Sequence, residues 1–272
     1  MASALSGAFF VLLPIELWRR RRTLTKAAWK EMAANAGVVL PVLATGGVVV
    51  AFIALLWGAA DALTPWRVPT TWGSAIACLL LVDFLFYWDH RTAHRVRAIW
   101  AVAHSVHHSS FQFDQTTGLR VSFVDGFTSP WFYLPAVFAG FDPLLVAACF
   151  GVMLAYQQWL HTEAIGRLGW FDRVFNSPSN HRAHHGTQQA YLDKNYGGIL
   201  IVWDRLFGTW APEREPPVYG LTTPLGSSNL WAVHTAEAKT LWHELNAARS
   251  WRARLRLLLS PPDAPVETEA AR

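Results

Sequence analysis

The sequence predicts an all-α protein: an integral membrane helical bundle of four to five spans or hairpin arms, with a histidine-lined cap on its cytoplasmic face. Three observations carry that expectation. Only 15% of the residues are charged and 52% are hydrophobic, whereas ordinary soluble proteins carry about 25% charged residues. Fifteen tryptophans suit a chain that meets the membrane interface, where Trp gathers. Nine of the eleven histidines fall between positions 90 and 185, between the apolar runs or at their ends.

The first apolar run, residues 2–18, is interrupted only by Glu16 and is followed by Arg19, Arg20, Arg21 and Arg22. A cleaved signal peptide carries its positive charge ahead of the apolar stretch. This run is therefore a first span or an interfacial anchor, and at about 17 residues it lies at the lower limit for crossing. Residues 37–60 are uncharged and form a clear span. A short loop with Pro65 and Pro69 leads to the next span, 73–88, which carries Asp83. A carboxylate inside a span is costly, so Asp83 has either a functional role or a structural hydrogen bond. This span runs straight on into Asp89, His90 and His94.

Residues 95–123 are polar. Two apolar arms follow, 130–140 and 143–160, separated by Gly140-Phe141-Asp142-Pro143, which is turn chemistry. They read as a hairpin that returns to the side it left and ends at His161, with Pro130 and Pro135 kinking the first arm. Residues 198–210 are apolar but too short to cross, so they pack beneath the cap or lie at the interface. Glu213 to Pro217 is a turn-rich loop and 228–260 is helical. Trp251, Leu255 and Leu258 recur there beside Arg249, Arg252, Arg254 and Arg256. That pattern fits a basic amphipathic helix on a membrane surface or a helix packed on the domain. The last dozen residues, rich in Pro, Glu and Ala, read as disordered.

Lys and Arg orient the bundle. Segment 19–30 holds six, the loop 61–72 one, segment 89–123 four, the hairpin tip none and the tail after His161 twelve. The alternation obeys the positive-inside rule and puts all nine clustered histidines on the cytoplasmic face. The net charge of +4 follows from these flanks and is no nucleic-acid signal. Cys78 and Cys149 lie far apart in apolar runs, which argues against a disulfide framework and against a Cys-type zinc site.

The histidines read H-x3-H (His90, His94), H-x2-H-H (His104, His107, His108), a single His161, and H-x2-H-H again (His181, His184, His185). Residues three and four apart share one helix face, and neutral imidazole ligates iron, zinc, copper and nickel. At this His frequency two H-x2-H-H triplets arise by chance with a probability on the order of 0.0001, which sets aside a scatter of surface histidines. Nine imidazoles exceed what one ion takes. Two ions with four or five each keep positions open for oxygen or substrate. His234 and His243 lie outside the pattern and read as ordinary polar residues.

The segments DFLFYWDHRTAH (83–94), WAVAHSVHHSS (100–110), WLHTEAIG (159–166), FNSPSNHRAHHG (175–186) and NYGGILIVWDRLFGTW (195–210) resemble the fatty acid hydroxylase/sterol desaturase superfamily of membrane di-iron oxygenases. The likeness is strongest to its alkylglycerol monooxygenase-related bacterial branch. The resemblance covers about residues 75–225. It implies that His90, His94, His104, His107, His108, His161, His181, His184 and His185 are iron ligands, and that two iron ions drive oxygen-dependent attack on a lipid C–H bond. It divides the chain into anchor helices (1–72), a catalytic domain (73–225) and a C-terminal amphipathic helix and tail (226–272). The reductant it implies is a separate electron-transfer protein or a pteridine, since the chain has no G-x-G-x-x-G nucleotide fingerprint. The lipid would enter from the bilayer between 73–88 and 130–160, in a bacterial inner membrane or, alternatively, the endoplasmic reticulum. Asp83, Asp89, Glu163 and Asn180 are the candidates for orienting the imidazoles, because ligating histidines usually donate to a carboxylate or carbonyl. Soluble di-iron proteins use Glu-x-x-His pairs, a pattern this chain lacks.

Hydroxylation and desaturation are not separated by these residues. Histidine spacing alone also permits a metal-dependent membrane lipid hydrolase using zinc or two metal ions, although such sites usually include a carboxylate general base. A non-catalytic metal scaffold would be betrayed by a missing ligand, and none is missing.

Overall fold

A computed structural model describes residues 7–264. The disorder expected of the last dozen residues falls largely outside them. The described residues are helical and contain no strand, only the isolated bridges Phe175–Leu200 and Gly186–Tyr219. The helices are α1 (Gly7–Arg20), α2 (Lys26–Gly37), α3 (Val39–Ala62), α4 (Trp72–Arg95), α5 (Pro143–Gln158), α6 (Pro178–His184), α7 (Leu230–Ala247) and α8 (Trp251–Leu259), with short helical turns between them.

Among the described residues two helical stretches are long and apolar enough to cross a membrane: Lys26–Ala62, with mean hydropathy 2.6, and Trp72–Arg95, with 1.4. Several helix starts carry a side-chain cap for their orphan amides, whereas α3 begins at Val38 without one. Thr71 and Ser74 form a reciprocal capping box at α4, Asp142 caps α5 ahead of Pro143, and Ser177 caps α6 ahead of Pro178. The first hairpin arm is broken as its prolines predict: a 3-10 turn at Ser129–Tyr133 leads into the short helix Leu134–Phe138. Gly140 turns the chain at φ +93°. The hairpin tip meets the α3–α4 loop, where Val68 N donates to Gly140 O at 2.8 Å and Trp66 Nε1 to Phe138 O at 3.1 Å. The hairpin therefore extends along α3 and α4 as far as the loop that joins them.

Trp57, Cys78, Val82, Leu85, Tyr133, Val137, Val146 and Cys149 form the core between α3, α4 and the hairpin. Burying one such side chain is worth roughly 1.5–3 kcal/mol where water is the alternative. This core packs 73–88 against 130–160, the two segments expected to flank the lipid's entry. The polar run 95–123 is partly helical, and its stretch from Arg97 to His108 passes through a π turn at Trp100–His104.

The region 228–260 is two helices rather than one, separated at Ala248–Ser250. On α8 the stripe is shifted by one residue. Leu257 is buried with Ala101 and Leu241, Leu258 packs against them, and Trp251, Leu255 and Leu259 face outward. Arg97 anchors the far end of α8, donating to Glu244 Oε2 at 3.1 Å and to Pro262 O at 2.7 Å. The α1 helix buries Glu16, which accepts from Thr162 Oγ1, Gln115 N (3.0 Å) and Glu163 N (3.2 Å), while Phe10, Val11, Ile15 and Trp18 remain exposed.

Candidate metal centre

The nine histidines come from four places and converge above the end of α4. His90 and His94 are one turn apart on α4; His104 ends the π turn and His107 and His108 follow it; His161 ends the hairpin; His181, His184 and His185 lie on or just after α6. They fall into two groups. His90, His94, His104, His108 and His184 form one, and His107, His161, His181 and His185 the other, with all ligand atoms within 4.8 Å of one another in each. The adjacent His107 and His108 thus part company. A π turn adds a residue to the helical repeat, and here it sits directly before that division. The groups touch through His108 and His185, whose rings stack at 4.3 Å.

Four rings are oriented by backbone carbonyls. Nδ1 donates to Tyr196 O from His90 (2.9 Å), to Arg120 O from His107 (3.1 Å), to Gln157 O from His161 (3.1 Å) and to Lys194 O from His184 (2.8 Å). A carbonyl only accepts, so Nδ1 carries the proton and Nε2 is a bare lone pair. His107 Nε2 and His161 Nε2 nevertheless face each other at 3.3 Å, and His181 Nε2 approaches His161 Nε2 to 3.0 Å. His90 and His104 meet through Nε2 at 3.1 Å. Opposed lone pairs repel unless a cation lies between them. Two nitrogens bound at right angles to one ion at about 2.1 Å lie about 3.0 Å apart, so this spacing suits shared ligation. His94, His108 and His184 each bury an Nε2 atom without a hydrogen-bond partner.

The electrostatics point the same way. Burial pulls His107 down to about 4, with the Arg120 charge adding to the shift, and burial pulls His184 down to about 3. Both are neutral at physiological pH, the form that binds metal. The residues present therefore fit two metal ions.

None of the four expected orienting residues hydrogen-bonds an imidazole. Asp83 accepts from Ile199 N, Leu200 N and Trp203 Nε1; Asp89 accepts from Ser129 Oγ and Tyr133 OH. Glu163 accepts from Tyr219 OH, and Asn180 binds Asp172 O, Asn195 and Trp210. They hold the surrounding loops. Gly197 and Gly198 belong to one such loop: a Cβ on Gly198 would lie 2.7 Å from Asp83 Oδ1, and one on Gly197 2.4 Å from Leu200 O.

Sequence reasoning missed several supports. Asp204 accepts from Tyr196 N (2.8 Å), Gly197 N (2.7 Å) and Thr209 Oγ1 (2.7 Å), fixing the carbonyl that orients His90. Arg120 is fully buried against Glu31 (2.6 Å) and Asn35 (2.7 Å), and its own carbonyl orients His107. Arg182, between two of the clustered histidines, pairs with Glu213 and donates to Thr162 O and Ile165 O. Its position inside HRAHH was the one available signal.

Residues 75–209 match the family model for fatty acid hydroxylases. Alkylglycerol monooxygenase of Xenopus tropicalis is 36% identical over 260 residues, covering 93% of this chain and 57% of that protein. The human alkylglycerol monooxygenase is 44% identical over 179 residues, 65% of this chain and 39% of that protein. An ornithine lipid hydroxylase of Rhizobium tropici is 32% identical over 154 residues, 55% and 45% of the two chains. This chain spans 57% or less of the length of these relatives. No solved structure gives a significant match.

Proposed function

The chain belongs to the fatty acid hydroxylase family through residues 75–209, and on that premise we propose that it is a membrane-bound di-iron oxygenase that hydroxylates or desaturates a lipid. His90, His94, His104, His108 and His184 would hold one iron, and His107, His161, His181 and His185 the other. The observation that carries the reading is the confrontation of His107 and His161, whose bare Nε2 atoms lie 3.3 Å apart with both Nδ1 protons committed to carbonyls. Neither group contains a carboxylate, so the general base that a hydrolase needs is missing from them.

The irons would supply the redox chemistry that activates O2 against a C–H bond. In hydroxylation one oxygen atom enters that bond and the other leaves as water, with electrons and protons from a separate donor protein or a pteridine. The protein's own contribution is a dry, rigid set of neutral imidazoles. Trp100 packs beside His94 and His108, at 5.2 and 5.5 Å between ring centres. Phe113 packs beside His185 at 5.1 Å and stacks on Tyr219 at 4.9 Å. Those rings shield the histidines from water.

We read the arrangement as a multi-pass protein, with α3, α4 and the hairpin in the bilayer and the histidine cap on the cytoplasmic side, in a bacterial inner membrane. The basic residues on the histidine side of the spans support that orientation. The test is iron content and Mössbauer spectroscopy on anaerobically purified, iron-replete protein, followed by oxygen-dependent conversion of membrane lipids. Two irons per chain with a coupled signature, and a lipid product that needs both oxygen and reductant, are the expected results. Lipid turnover without oxygen on irreplaceable zinc would overturn the reading.

A further inference from the structure

The segments 168–175 and 199–207 lie lower on the bundle than a cap should. Asp83 sits on α4 six residues before Asp89, about 9 Å back along the helix at 1.5 Å per residue. Its carboxylate nevertheless receives Ile199 N (2.5 Å), Leu200 N (3.2 Å) and Trp203 Nε1 (2.8 Å). The turn at 199–203 is thus held beside the apolar part of the span. Two more bonds bring the neighbouring segment to the same level: Asn176 N donates to Ile199 O at 2.7 Å and Ile201 N to Val174 O at 3.1 Å. Irregular backbone survives at such a depth only where its amides are satisfied, and the Asp83 carboxylate does that here.

The outer face of this pair of segments is apolar. Trp170 is 70% exposed and Leu206 67%, with Val174 and Val202 exposed between them. Its rim is basic. Arg205 lies over the Trp210 ring at 3.8 Å, and its neighbouring charge is Arg173. Among the described residues neither guanidinium is paired with a carboxylate. The nearby Asp172 directs its carboxylate to Leu168 N at 2.7 Å. Two adjacent unpaired cations above exposed Trp and aliphatic side chains complement an anionic lipid surface.

We propose that residues 168–175 and 199–207 form a re-entrant docking surface seated in the cytoplasmic leaflet. Acyl chains lie against Trp170, Val174, Val202 and Leu206, and the phosphate of an anionic phospholipid is taken by Arg173 and Arg205. The surface is continuous with the span through Asp83, and the inference rests on reading α4 as membrane-spanning. It places the underside of the histidine cap within the bilayer rather than above it.

The test is spin-label accessibility on the full chain in nanodiscs of phosphatidylcholine with a minority of phosphatidylglycerol. Cys78 and Cys149 are buried, so labels go to Trp170→Cys and Leu206→Cys, with Leu55→Cys on α3 and Glu215→Cys on the cap as references. Labels at 170 and 206 should collide more with oxygen than with a polar nickel chelate, as at 55, with the order reversed at 215. If 170 and 206 behave like 215 while 55 stays lipid-like, the docking surface is wrong and the membrane reading stands. If 55 also behaves like 215, both fall. In the Arg173→Gln/Arg205→Gln variant, mass spectrometry of co-purified lipid should show loss of the phosphatidylglycerol enrichment seen in the parent. Unchanged enrichment would overturn the assigned phosphate contact.

Discussion

Arg182 and Glu213 form a forked ion pair, with Nε to Oε1 at 2.8 Å and Nη2 to Oε2 at 2.7 Å. The third nitrogen of the same guanidinium holds the carbonyls of Thr162 (2.9 Å) and Ile165 (2.7 Å). One side chain thus ties α6, with His181 and His184, to the chain just after His161. A lysine supplies one point charge in place of this planar fork. Arg182→Lys should therefore lower metal retention in the group of His107, His161, His181 and His185, with affinity falling by roughly 10–100-fold as for other supports of metal ligands. Iron titration resolves this: two equal binding steps would become one tight and one weak step, and two unchanged steps would refute the role.

Removing a proposed ligand should act more severely. His161→Ala leaves His107 and His181 without the nitrogen that each faces at 3.3 and 3.0 Å. Oxygen-dependent turnover should drop by more than about a hundredfold, beyond the loss typical of a supporting residue. Iron should fall toward one per chain. His243→Ala, outside both groups, should leave both quantities unchanged.

Much of this site was legible because histidine spacing on helices has a fixed geometric meaning. The H-x3-H pair on α4 projects to one side by helical repeat alone. Which histidine joins which group was hidden, because His107 and His108 diverge after a π turn that no residue type announces. The carbonyls of Tyr196, Arg120, Gln157 and Lys194 were hidden for a related reason: every residue has a carbonyl, and long-range packing selects those that meet a ring. Asp83 stood out as a carboxylate inside an apolar run, but its partners lie 116 to 120 positions away. The α8 stripe was misread by one residue because Leu257, Leu258 and Leu259 are adjacent, and the contact with Ala101 decides which of them turns inward.

Asp83 should be a structural anchor whose loss spreads to His90. Asp83→Asn turns one acceptor into a donor facing an amide. A buried hydrogen bond to a charged group is worth about 1.5–3 kcal/mol, so a loss of about 2 kcal/mol in stability is expected. Gly198→Ala should cost about 1–3 kcal/mol by overpacking, since its Cβ would meet Asp83 Oδ1 at 2.7 Å and Phe86 at 2.9 Å. Thermal unfolding in detergent measures both. If Asp83→Asn melts with the parent, the carboxylate does not anchor the loop 199–203.

Acidification should expose the histidine site through its effect on stability. Burial holds His107 down to about 4 and His184 down to about 3, whereas a histidine in the unfolded chain titrates near 6.5. Above that value both states are neutral and these groups add no pH dependence. As pH falls below it the unfolded chain binds protons that the folded chain refuses, so stability declines until the folded values are reached. The histidine contribution to the melting temperature of metal-free protein should therefore be flat from pH 8 to about 7 and fall progressively below about 6.5, while the Asp125 carboxyl, which burial pushes up to about 7, works in the opposite sense as pH falls. Iron binds only the neutral imidazoles of the folded chain. As long as the imidazoles stay neutral, the loaded protein should melt higher and begin its decline at a lower pH than the metal-free form. Identical curves for the two forms would mean that these histidines hold no metal.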